Sequence, residues 1–82
     1  MNTVQHNNHI DAKGMSCPVP LMLLKKAVEE LQAGCAVQIE VTDVHAELDF
    51  EIWCERFGHQ LEKLIENDGV INFLVIKGVP DN

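Results

Sequence analysis

The chain has 82 residues, 46% of them hydrophobic and 23% charged, the balance of a soluble globular domain and not of a disordered segment. Folding at this length removes only roughly 60% of the unfolded surface from water, enough for one sheet with a layer of helices and too little for a second core. Thirteen acidic residues against six basic ones give a net charge of −7, which repels phosphate backbones, argues against nucleic-acid binding and favours partners that present basic patches.

In chain order, residues 1–8 are polar and read as a flexible tail. A single domain is expected over 9–79, with a short tail over 80–82. The first eleven residues do not form a secretory leader, and no apolar run approaches the roughly 18–20 residues of a membrane span. A cytoplasmic, monomeric protein away from membranes is the expectation.

A strand is predicted near Asn8 to Ala12, followed by a turn at Gly14. Leu21, Leu24, Val28 and Leu31 recur at helical spacing, and the helix should stop at Ala33-Gly34. Ala36 to Thr42 alternates, with Val37, Ile39 and Val41 on one face, as a half-buried strand does. A second helix fits Ala46 to Phe57, with Phe50, Trp53 and Phe57 as its core stripe, Gly58 as its stop and His59 packing or capping behind it. Leu61 to Glu66 reads as strand or as continued helix. Asn67-Asp68-Gly69 signals a hairpin into Val70–Lys77, and so favours strand for the segment before it. The expected fold is α+β: a two-layer sandwich in the order β-α-β-α-β-β, with two helices on one face of a mixed four-stranded sheet.

The three cysteines, Cys17, Cys35 and Cys54, stand apart, with no C-x-x-C pair or zinc spacing, so reduced thiols and no metal or cofactor are expected. His6 and His9 have no third ligand spaced to join them. Cys54 beside Trp53 reads as a packed thiol, Cys35 as a surface or edge thiol, and Glu47, Asp49, Glu51 and Glu55 as a solvated helix face first and a partner-docking patch second. Ser16-Cys17-Pro18-Val19-Pro20 is different. Pro18 suits the first helical position, which puts Cys17 at the cap, with the N–H groups of Cys17 and Val19 close to its sulfur. There the helix dipole should lower the thiol pKa and favour the nucleophilic thiolate. Pro20 fills the place of a second redox cysteine, so a lone activated thiol suits carrying a group better than exchanging electrons.

The segment Asp11-Ala12-Lys13-Gly14-Met15-Ser16-Cys17-Pro18-Val19-Pro20 resembles the Leu-Asp-x-x-Gly-Leu-x-Cys-Pro-x-Pro signature of the TusA/SirA-like sulfur-carrier family. The likeness runs on through Val41-Thr42-Asp43, Trp53-Cys54, Gly58-His59 and Ile76-Lys77-Gly78. It implies the same two-layer fold and a sulfurtransferase-type carrier in place of a stand-alone enzyme. In the family, the motif cysteine accepts a sulfane sulfur as a persulfide from a donor such as a cysteine desulfurase. It then hands that sulfur to a downstream acceptor in tRNA thiolation, molybdenum-cofactor assembly or sulfur metabolism. The matching residue is Cys17, supported by Pro18, Pro20 and Gly14. Ser16 and Val19 stand where many members carry a basic and an acidic residue. Two other readings compete: a regulatory or interaction module on the same scaffold, and a redox switch pairing Cys17 with Cys54.

Overall fold

The computed structural model describes residues 9–79; the two tails expected from the sequence, and His6, lie outside them. The order is β1 (His9–Ala12), α1 (Val19–Glu29), β2 (Ala36–Val41), α2 (Ala46–Phe57), β3 (Gln60–Asn67) and β4 (Val70–Ile76). The strands form one mixed sheet in the order β1-β2-β4-β3. β1 lies parallel to β2 (Ile10 opposite Ile39), and β4 runs antiparallel to both β2 (Ile39 opposite Phe73) and β3 (Leu61 opposite Val75). This is the predicted α+β sandwich.

Its core follows from two periodicities. Alternate residues of β2 and β4 point to the helices, so Val37, Ile39, Val41, Ile71, Phe73 and Val75 are buried, together with Leu24 and Val28 of α1 and Ala46, Phe50 and Cys54 of α2. Phe50 meets Phe73 edge to face at 5.4 Å, an arrangement that adds about 1 kcal/mol to the burial itself. The ambiguous segment is strand: Asn67 pairs with Val70 across Asp68 and Gly69. Both loop residues have positive φ, 55° and 80°, as a two-residue hairpin that matches the strand twist requires.

Two expectations are corrected. Helix α1 ends at Glu29, not at Ala33-Gly34. Its last turn tightens, with Glu30 N–H bonding Ala27 C=O and Leu31 N–H bonding Val28 C=O, and the Leu31 carbonyl accepts from Lys77 Nζ at 2.7 Å. Gly34 instead turns the chain into β2, its N–H bonding Lys77 C=O at 2.9 Å. The second correction is Phe57, placed in the core by its stripe but 60% exposed. In the last turn of α2 that stripe leaves the sheet, and the Phe57 ring lies against Trp53 at 6.1 Å, lining the groove between the two helices.

Candidate functional site

The β1–α1 loop and the β2–α2 loop meet because β1 and β2 are parallel neighbours, which brings their C-terminal ends to one edge of the sheet. Gly14 makes the first turn with a φ of 81°, a conformation that suits glycine. Its N–H donates to Thr42 Oγ1 at 2.9 Å. Lys13 beside it reaches Glu40 at 3.0 Å and Asp11 at 3.2 Å. The loop then presents Cys17, whose side chain is exposed.

The local geometry differs from the expected cap. Pro18, joined to Cys17 by a cis peptide, is the N-cap residue, and Val19 and Pro20 are the first two helical positions. Cys17 therefore precedes the cap, and neither of the two amides expected to face its sulfur is free. The Cys17 N–H donates to Asp43 Oδ2 at 2.9 Å, and the Val19 N–H donates to Ser16 C=O at 2.9 Å. Pro20 packs into the core, fixing the start of α1 against the sheet.

The expected lowering of the thiol pKa is overturned as well. The Cys17 thiol donates a hydrogen bond to Asp49 Oδ2 at 3.0 Å. That bond raises the Cys17 pKa above the ordinary thiol value, and desolvation and the negative charges of Asp49 and Asp43 add to it. A carboxylate that accepts the S–H proton favours the neutral form, and two nearby negative charges disfavour a thiolate. Asp43 is the hinge of the arrangement. Besides the Cys17 amide, it accepts from the His45 N–H at 3.0 Å and bonds His45 Nδ1 at 3.2 Å. These contacts, led by the two backbone bonds from His45 and Cys17, hold its carboxyl below the usual aspartate value.

Asp49 lies in the acidic run expected to face solvent first and a partner second, and it is instead the hydrogen-bond partner of the Cys17 thiol. The only hint in the sequence was its place in the first turn of the helix that follows Asp43. Thr42 and Asp43 enter the sequence pattern only through the family likeness. The other candidates separate from this cluster. Cys54 is buried in the core, and burial alone pushes its thiol up to about 11. Cys35 is an exposed free thiol at the entry to β2. The exposure of one thiol and burial of the other give the Cys17–Cys54 redox switch no support. His59 packs as expected behind Gly58: its ring lies 4.8 Å from Trp53, and its Nδ1 accepts the Gly78 N–H at 3.0 Å. Among the described residues, no three His, Cys, Asp or Glu side chains cluster as a metal site, and no helix is long and apolar enough to cross a membrane.

Residues 8–77 match the model of the family described as Sulfurtransferase TusA. The chain is 35% identical over 69 residues to YrkI of Bacillus subtilis, covering 84% of this chain and 92% of that one. It is 34% identical over 77 residues to the sulfur carrier protein TusA of Pseudomonas entomophila, covering 94% of this chain and 96% of that one. The crystal structure of a SirA-like protein from Desulfitobacterium hafniense superposes with a TM-score of 0.78 at 35% identity, over 87% of this chain and 97% of that one.

Proposed function

The chain belongs to the TusA sulfurtransferase family, and from that premise we propose that it is a sulfur carrier that takes a sulfane sulfur onto Cys17 as a persulfide and relays it to an acceptor protein. The observation that carries this reading is the exposed, free Cys17 thiol at the start of the Cys-Pro-Val-Pro segment, fixed by two carboxylates from the neighbouring loop and helix. Pro18 and Pro20 hold the head of α1, and Gly14 makes the turn that brings the loop there.

The chemistry balances without an external oxidant. The Cys17 sulfur attacks the terminal sulfur of a donor persulfide, R–S–SH. The donor S–S bond breaks, a new bond forms from Cys17 Sγ to that sulfur, and the thiol proton ends on the departing R–S⁻. The products are Cys17–S–SH and R–SH, and delivery to an acceptor thiol repeats the exchange in the same sense. Met15, Val19 and Met22 near the cysteine are exposed, as are Val44 and Leu48 beside the two aspartates. They give a partner an apolar surface around the sulfur. The donor is a cysteine desulfurase or another sulfane-sulfur protein, and the acceptor is a protein of tRNA thiolation, cofactor assembly or sulfur metabolism.

The test uses labelled cysteine and a cysteine desulfurase. The full chain should acquire labelled sulfur that reductant removes, and Cys17→Ser should acquire none. A Cys17→Ser chain that still carries the label, or that supports sulfur delivery in cells as well as the parent does, overturns the reading in favour of a docking module.

A further inference from the structure

Resting on the reading of Cys17 as the sulfur-bearing residue, we propose that Asp49 is a positioning residue that keeps the unloaded carrier's Cys17 docked as a neutral thiol, and that a cationic side chain of the sulfur donor frees the thiol by pairing with the Asp49 carboxylate. The geometry is specific. Cys17 Sγ donates to Asp49 Oδ2 at 3.0 Å across 32 residues of sequence, while the cysteine's own N–H is tied to Asp43 at 2.9 Å. The side chain and the backbone of one residue are thus held by two carboxylates from different segments.

The charged groups around the sulfur agree in sign. From α2 there is Asp49. From the β2–α2 loop there is Asp43, with His45 bonded to its far oxygen. In the β1–α1 loop Lys13 is engaged with Asp11 and Glu40. Lys25 of α1 and Arg56 of α2 line the same groove as Asp49, yet no salt bridge joins either of them to it among the described residues. The two carboxylates make the thiolate unfavourable, as the raised Cys17 pKa reflects. A carrier must avoid oxidants and stray electrophiles between partners, and a protonated thiol does so, because the thiolate is the reactive form.

Release needs the carboxylate to find a better partner. A guanidinium or ammonium group would bond Asp49 more strongly than a thiol does, because both members of the new pair are charged. The freed thiol would then lose its proton to solvent more readily, because the positive charge stabilises the thiolate that forms. The net charge of −7 draws such a partner in. The donor would then switch on the nucleophile by docking, and free solvent would not.

Iodoacetamide alkylation of Cys17 as a function of pH tests this without any sulfur donor, so its failure is separable from failure of the carrier reading. The assay uses a Cys35→Ser background, and circular dichroism verifies each fold. Asp49→Asn should alkylate roughly threefold or more faster at neutral pH, with its profile shifted to lower pH, because it removes a charge and keeps the shape. Asp49→Glu should stay near the parent. An oligo-arginine peptide should accelerate the parent and leave Asp49→Asn unchanged. A profile unmoved by Asp49→Asn overturns the docking role. A peptide without effect on the parent, or one that accelerates both chains equally, overturns release by a partner cation.

Discussion

Two thiols of this chain have opposite surroundings, and that difference predicts opposite behaviour. Cys17 is exposed and hydrogen-bonded; Cys54 is buried among Phe50, Phe73 and the strands. The Cys54 thiol rises from an ordinary 9.0 to about 11 because burial penalises the thiolate. A folded-state value above the unfolded one gives stability that is complete below about 9 and is lost as pH rises toward about 11, since the unfolded chain ionises first. Urea midpoints should therefore fall through that window, and Cys54→Ala should lose this part of the slope while costing about 1–2 kcal/mol at neutral pH. An unchanged slope in Cys54→Ala would assign the alkaline loss to other groups. Asp43 works in the other direction. Its depressed carboxyl stabilises the folded chain above the usual aspartate value and ceases to do so as pH falls through its own. Asp43→Asn should flatten the acid side of a pH–stability curve. The sequence made Cys17 conspicuous through its prolines. It could not reveal the Asp49 contact, which depends on how α2 rotates against the β1–α1 loop. The helix start does not lower the thiol pKa as expected, because the Cys17 and Val19 amides bond Asp43 and Ser16, a matter of tertiary placement.

Among the elements, the closing stretch after β4 is the most constrained. Gly78 donates to His59 Nδ1, and a Cβ at position 78 would run into the Gly58 carbonyl. Gly78→Ala should cost about 2 kcal/mol or more through overpacking against backbone. Gly14→Ala meets no atom within 4 Å and should cost only about 1 kcal/mol, from its left-handed backbone. Thermal melting of both variants checks the order, and the reverse order would contradict the packing at Gly58. Strand β2 and the two-residue hairpin were legible because period-two alternation and Asp68-Gly69 each favour one backbone solution. The early end of α1 was not legible. Its helical spacing continues to Leu31, whereas the tightened last turn is accompanied by bonds from Lys77 Nζ to the Glu29 and Leu31 carbonyls, a contact remote in sequence.

For the whole molecule, the element order and the single core follow from alternation, helical spacing and the limit that 82 residues place on buried surface. The acidic charge carries a further consequence. If donors dock through cations, raising salt from about 0.05 M to about 0.5 M should slow their association several-fold and change dissociation little. Stopped-flow mixing with a desulfurase measures this, and a salt-independent association rate would rule out the electrostatic part of the docking. On the proposed function, one sulfur atom, that of Cys17, holds the cargo. Intact-mass spectrometry under non-reducing conditions, after incubation with a persulfide donor and followed by peptide mapping, tests it most directly. The expected result is the added mass of one sulfur on the peptide containing Cys17, removed by dithiothreitol. An unmodified chain, or added sulfur that maps to Cys35 or Cys54, would contradict it.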